Sequence, residues 1–350
     1  LRVLVDVLTP KQARFFSKLG ERLRESEVDV IYTTRSYYES ERMLHLLGTK
    51  ATKLGRFGES LYDKVLFSAQ RLEAYVKFLS RRKPDLVVSF GSPEAARASF
   101  GLAIPHIMAN DSPHAEAVAR LTVPLSRKLF TPWVIPRAVW APFGIPEDNV
   151  IQYRGLDQTA WMKGVRVEPL GSIPDELLMI YRPEEYRAAY VSARDNASAE
   201  FFKRTLDILK SKTSKKVRAL VLCRYGYSPA YRKLLGPTTV VPKRPLDAVD
   251  LLKRAASFFG HGGTMTGEAA LLGIPTVSLS RRANLVEEFL VKEGLVSKPQ
   301  SPEAAADLLL SFYAQDGEKM KSQRERASAL LDRMEDPTER ISSFIVGGDN

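Results

Sequence analysis

The densest concentration of chemistry-bearing residues is the run GGTMTGEAALLGIPTVSL at 262–279, which follows an apolar segment ending near Phe259. Gly262 and Gly263 carry no Cβ to keep a ligand off the backbone, and Thr264 is placed to cap the helix that the following residues predict. The start of such a helix offers unpaired N–H groups and the positive end of its dipole, which suits a phosphate. Gly267 lowers helix stability by roughly 1 kcal/mol relative to alanine, which argues that something nearby needs the space. Glu268, about one turn in, could accept both hydroxyls of a ribose, or could be a favourable first-turn charge on the helix dipole. His261 could donate to a phosphate oxygen or be a hydrogen-bonded histidine in a tight turn. Other apolar runs in this half are followed by Arg182, Arg224, Lys243-Arg244 and Arg281-Arg282. If the strands are parallel, these cations gather on the rim that carries the glycines, as a diphosphate requires. The alternative is scattered surface charge in a chain with 52 Lys and Arg.

In the first half, Thr9-Pro10, Ser92-Pro93 and Ser112-Pro113 each read as a hydroxyl N-cap with proline at the first helical position, directly after a strand. The same rim offers Asp6, Asp111 and His114 as candidate general bases. His114 has the most suitable intrinsic pKa, although in NDSPH it falls at the second helical position; Asp111 could equally begin a turn. Four histidines without i, i+4 spacing and a single cysteine, Cys223, point to no metal site and no disulfide. Cys223, within an apolar run, reads as a buried inert thiol. The third glycine of G-x-G-x-x-G is replaced by Met265 when counted from Gly260, and no phosphate-loop motif occurs, so hydride transfer and NTP hydrolysis lose their best support.

These residues need elements that bring them to one edge. Short aliphatic runs at Arg2–Leu8, Val28–Thr33, Leu86–Phe90, His106–Ala109 and Val150–Tyr153 alternate with longer amphipathic stretches, the βαβ pattern of a parallel sheet. The pattern restarts after Lys163–Asp175 with runs at Leu177–Tyr181, Val217–Leu222, Thr238–Val241, Ser257–Phe259 and Pro275–Leu279. The expected organisation is therefore α/β, with two Rossmann-like doubly wound domains over 1–164 and 165–335 and a tail over 336–350 that could pack back on the first. Amphipathic helices are predicted at Glu303–Tyr313 and Glu318–Met334. A chain of 350 residues, 44% hydrophobic and 27% charged, is long enough for both domains and excludes a disordered chain. The net charge of +11 favours anionic partners. The single cysteine leads us to expect a reducing cytoplasm; no apolar run is long enough to cross a bilayer and the N-terminus shows no leader pattern, so neither insertion nor export is expected.

The segment GGTMTGEAALLGIP, with RPLDAVDLLKRAASFFGHG at 244–262 before it, resembles the C-terminal nucleotide-sugar site of GT-B glycosyltransferases of the MurG type. DVLTP at 6–10, GSPEAARASFGLAIP at 91–105, NDSPH at 110–114, YRGLDQTAW at 153–161, RPEEYRAAY at 182–190 and GGTMTGEAALLG at 262–273 resemble the domain of unknown function 354, a family in the same superfamily. The resemblance covers most of the chain. It implies two domains facing across a cleft, with the acceptor on the first and a nucleotide-diphosphate sugar on the second. Gly262 and Gly263 would meet the diphosphate and Glu268 the ribose. The implied activity is metal-independent sugar transfer with a UDP-sugar as substrate and no cofactor, consistent with the lack of a D-x-D pair. A phosphorylated or lipid-linked acceptor, met by a protein peripheral to the inner membrane face, would suit the basic excess of the first domain.

The second-domain motif also resembles non-hydrolysing UDP-N-acetylglucosamine 2-epimerases. That family places an acid after the strand that here ends Ser89-Phe90-Gly91-Ser92, and further carboxylates downstream. Ser92 stands in place of the first acid, and Arg120–Ser126 supplies no counterpart for the last. A nucleic-acid-binding role would draw on the +11 charge, but no nucleic-acid module and no interleaved aromatic and basic stretch supports it.

Overall fold

The structure, a computed structural model, describes residues 1–165, 167, 175–184, 197–223, 229–236, 239–243, 246–314 and 317–347. The chain divides into two compact units, one of Leu1–Trp161 with Met334–Asn350 and one of Met162–Arg333.

In the first unit the strands are β1 (Arg2–Val7), β2 (Asp29–Ser36), β3 (Thr52–Arg56), β4 (Leu86–Ser89), β5 (His106–Ala109), β6 (Lys128–Pro132) and β7 (Val150–Tyr153). All pair in parallel in the order β3-β2-β1-β4-β5-β6-β7. The connecting helices are α1 (Pro10–Glu25), α2 (Tyr38–Leu46), α3 (Leu61–Arg82), α4 (Pro93–Gly101), α5 (Glu116–Thr122) and the single turn α6 (Thr159–Met162). β4 throughout and β1 from Val3 onward are buried because helices cover both faces, and Leu4 and Val87 pack with Tyr75, Leu79, Ala95 and Ala98.

The caps after β1 and β4 form as read: Thr9 accepts from the Gln12 N–H, Ser92 from that of Ala95, and Pro10 and Pro93 open their helices. Ser112-Pro113 does not start a helix. The Asn110 side chain captures the Ser112 N–H at 2.8 Å, and the Ser112 hydroxyl donates to Asp111 at 2.8 Å. With the capping groups consumed, residues 113–114 form a turn and α5 begins only at Glu116.

The second unit has β8 (Glu176–Tyr181), β9 (Lys216–Val221), β10 (Ser257–Gly260), β11 (Thr276–Ser278) and β12 (Val296–Ser297), parallel in the order β12-β11-β10-β8-β9. Val240 extends the sheet beyond β9 through one bridge to Leu220, which is all that the described part of the Thr238–Val241 run forms. Its helices are α7 (Ala197–Lys212), α8 (Pro229–Leu235), α9 (Ala248–Lys253), α10 (Thr264–Leu271), α11 (Leu285–Lys292), α12 (Pro302–Phe312) and α13 (Glu318–Arg333). Cys223 is half-buried just beyond β9, against a core that includes Tyr181, Phe202 and Phe259.

The last helix, α14 (Pro337–Val346), belongs to the first unit and lies against α1. Arg22 binds Asp336 at 2.8 Å, and the Phe344 ring meets Phe130 edge-on at 5.4 Å. Gly155 permits the preceding chain to pass: a Cβ there would stand 2.2 Å from the Glu335 carbonyl oxygen. Gly155→Ala is therefore expected to lower the melting temperature by several degrees, about 1–3 kcal/mol of overpacking, and to raise amide exchange in α14 first. Unchanged exchange in α14 would contradict this role.

Candidate functional site

In parallel α/β sheets ligands gather beyond the carboxyl ends of the strands, and both units place polar groups there. In the second unit β10 ends at Gly260 and the chain turns through His261, Gly262 and Gly263 into α10. Gly262 adopts φ +70°, the left-handed region that favours glycine. A Cβ there would lie 3.0 Å from the Glu287 carboxylate, whereas a Cβ on Gly263 would meet nothing within 4 Å. The turn is thus braced on one side and open on the other. Asn284 braces it by donating to the Gly262 carbonyl at 3.1 Å while capping α11, and Lys298 reaches the buried Glu287 at 3.3 Å.

The sequence assigned the helix cap to Thr264. Gly263 is the N-cap instead and supplies no side-chain bond; Thr264 is the first helical residue. The Thr266 and Gly267 N–H groups turn back to the Gly263 carbonyl at 3.0 and 3.3 Å, and with no side-chain cap the N–H groups before them are left as donors for a ligand. Glu268 lies in the same helix and is 2% exposed. Arg182 follows β8, next to β10: its N–H donates to the Phe259 carbonyl at 2.8 Å and its guanidinium to that of Leu222 at 2.7 Å. Lys243 is exposed and leaves the sheet beyond Val240, three strand positions from β10, or roughly 14 Å across the sheet. Arg224 and Arg244 lie outside the described residues.

The first unit separates the three proposed bases. Asp6 faces inward: it is fully buried, bound by Arg71 at 2.6 Å and by the Thr33 hydroxyl at 2.7 Å, and is a structural acid. His114 is exposed in the turn before α5, not in a helix. Asp111, 14% exposed, receives the Lys11 ammonium at 2.6 Å, and the same ammonium lies 2.5 Å from the wholly buried Asp157. Tyr153, at the end of β7, donates to Asp157, and Lys11 sits 4.3 Å over the Phe90 ring.

One cation serves two carboxylates, and their titration differs accordingly. Burial pushes Asp157 up to about 7, with Asp111 adding to the shift and Lys11 opposing it. Burial also works against the charge on Asp111, but the Lys11 ammonium outweighs it and holds the carboxyl below its usual range. Lys11 itself is raised, since two carboxylates more than offset its burial. Lys11 and Asp157 were not among the sequence-derived candidates. The signal existed: Lys11 follows the cap after β1, and Asp157 lies four residues past β7.

Two units, each built on a parallel sheet flanked by helices, define a protein of the GT-B fold. The model of the family of proteins of unknown function DUF354 matches residues 1–339, and the chain belongs to that family. An uncharacterised protein of Methanocaldococcus jannaschii is 27% identical over 301 residues, 84% of this chain and 86% of its own. Among solved structures, the Staphylococcus aureus MnaA–UDP complex has a TM-score of 0.75 at 15% identity, covering 98% of this chain and 95% of that one. The UDP-GlcNAc 2-epimerase of Neisseria meningitidis bound to UDP-GlcNAc has a TM-score of 0.68 at 18% identity, covering 99% of each chain. The glycotransferase of kitacinnamycin has a TM-score of 0.58 at 13% identity, covering 98% of each chain.

Proposed function

We propose that the protein is a metal-independent glycosyltransferase that binds a UDP-sugar at the turn His261–Gly263 and the start of α10. The observation that carries this reading is the open side of Gly263 at an uncapped helix N-terminus. Backbone N–H groups and the helix dipole would take the diphosphate, with Arg182 and His261 beside them, and would stabilise the leaving nucleotide as charge develops on it. Glu268 would take the ribose. Structural relatives bound to UDP and UDP-GlcNAc support a nucleotide sugar as ligand. The acceptor is proposed to be phosphorylated or lipid-linked. Leu61, Tyr62 and Val65 at the start of α3, all more than two-thirds exposed, support contact with an apolar acceptor tail.

The test is thermal shift with UDP and UDP-sugars on the full chain. UDP at 100 times its Kd is expected to add about 2.7 kcal/mol of apparent stability. Gly263→Leu, whose side chain enters open space, should melt like the parent without ligand and show no shift with UDP; Glu268→Ala should weaken the shift. No stabilisation by any nucleotide would sink the reading.

Epimerisation is the second reading, favoured by the higher TM-score of the Neisseria epimerase, 0.68 against 0.58 for the glycotransferase. Against it stands the environment of Ser92, where the epimerase resemblance implies an acid. That residue is fully buried, caps α4 and bonds within the Arg71 network. Deuterium uptake from heavy water into UDP-GlcNAc without acceptor would establish epimerisation; unlabelled donor favours transfer.

A further inference from the structure

We propose that Lys11, Asp111 and Asp157 form one acid–base centre that activates a hydroxyl-bearing acceptor, with Asp111 as the catalytic base and Lys11 and Asp157 as its positioning residues. The inference rests on the transferase reading and extends it to the first unit.

Two ionic clusters of this unit differ in charge balance and in closure. Around Arg71, the carboxylates of Asp6 and Glu94 are opposed by two guanidiniums, Arg71 and Arg35, and Arg71 is only 1% exposed. That cluster is charge-balanced and sealed, with both its carboxylates and its central cation closed off from solvent and Arg35 at the rim, as a structural network should be. The Lys11 cluster is neither. Two carboxylates share one ammonium, which leaves one negative charge in excess whenever Asp157 is ionised, and Lys11 and Asp111 remain 16% and 14% exposed while Asp157 is at 0%. Each cluster holds a buried carboxylate oxygen without a well-directed hydrogen bond, Oδ2 of Asp6 and Oδ2 of Asp157, so charge balance and solvent access are what distinguish them. Ionisable groups whose burial and charge partners conflict concentrate at functional sites.

The open side consists of one acceptor, Asp111, and one donor, Lys11, the pair that a hydroxyl group engages. The charged groups facing Asp157 are Lys11 from α1 and Asp111 from the β5–α5 turn, with the Tyr153 hydroxyl from β7. When Asp157 carries a proton, Lys11 is left to Asp111. When Asp157 is ionised, it competes for the ammonium and makes Asp111 more basic. In the transfer step the acceptor O–H proton moves to the Asp111 carboxylate and the acceptor oxygen bonds the anomeric carbon of the donor sugar. The bond from that carbon to the diphosphate breaks, and its electron pair leaves with UDP.

The experiment uses the full chain with UDP-GlcNAc as donor and water as the surrogate acceptor, following UDP release. Asp111→Asn is expected to slow release by at least about 100-fold with the UDP thermal shift unchanged. The limb of the pH–rate profile near pH 7, where Asp157 loses its proton and Asp111 becomes the stronger base, is expected to disappear in Asp157→Asn, which a purely structural change would not do. Asp111→Asn at the parent rate, or Asp157→Asn with an unmoved profile, overturns the proposal. A 13C-carboxyl titration of labelled aspartates reads the centre without turnover. One resonance should titrate between about pH 6 and 8 and vanish in Asp157→Asn; its absence from the parent chain overturns the proposal even if no UDP is released. Loss of the UDP thermal shift in the parent chain would instead remove the donor reading.

Discussion

Replacing Arg71 with methionine is expected to destabilise the first unit by about 3–5 kcal/mol, more than any other single substitution proposed for this protein. The guanidinium binds Asp6 on β1 at 2.6 Å, Glu94 in α4 at 2.9 Å and the Leu54 carbonyl on β3 at 2.9 Å. It therefore ties the edge strand, a central strand and a helix across the unit. Burial alone would disfavour its charge, and the two carboxylates more than restore it. Removing the cation leaves Asp6 at 0% and Glu94 at 8% side-chain exposure without their hydrogen-bonded partner and with Arg35 alone to oppose two carboxylates, and that imbalance sets the magnitude. Arg71→Lys should fall in between, because one ammonium cannot reproduce a fork that reaches three acceptors. Glu94→Gln should cost less, since Asp6 still neutralises Arg71. Denaturant unfolding of the three variants measures these differences, and a loss below about 1 kcal/mol for the methionine variant would contradict the structure.

The second large effect is a pH dependence that isolates Asp157. In the unfolded chain this carboxyl should titrate near 3.9, and in the folded chain near 7. Between those values the folded protein holds a proton that the unfolded chain has released, so stability contributed by Asp157 is present at low pH and is lost as pH rises through about 7. The gap between the folded and unfolded values sets a ceiling of about 4 kcal/mol on that loss. Asp111, held low, acts below this window, and Lys11, held high, acts above it. His106 acts in the opposite direction. Buried between Ser89 and Ser126, it is pushed down to about 4, so its contribution grows as pH rises from 4 towards 6.5. The discriminating quantity is therefore parent minus Asp157→Asn, measured by urea unfolding from pH 4.5 to 8.5. The parent should lose stability relative to the variant by about 2–4 kcal/mol across that range. A constant difference would mean that Asp157 is ionised throughout.

What could be read from the sequence and what could not divides along the range of the interactions. β1 and β5 show as aliphatic runs because burial on both faces demands them. β3, TKLGR, carries no such mark: it is the exposed edge of its sheet, where packing asks little of its side chains. β6 ends in proline and β12 has two residues, so neither displays a period. Thr9-Pro10 and Ser112-Pro113 look alike in sequence, yet only the first opens a helix, because Asn110 and Asp111 consume the capping groups of the second.

The amino-acid sequence by itself determined the alternation of two α/β units and the glycine-rich turn before α10. Both follow from interactions a few residues apart: periodic burial along a strand, and the freedom of Gly262 to adopt a positive φ. It also held the acids that matter, without distinguishing them. Asp6 and Asp111 both stand at strand ends, and only tertiary structure seals one beneath Arg71 and leaves the other open beside Lys11. Residues 11, 111 and 157 meet because the order of parallel strands folds them onto one edge, an arrangement that no local spacing encodes. Whether a carboxylate serves structure or chemistry depends on its exposure and its count of opposing charges, and both are properties of the assembled sheet.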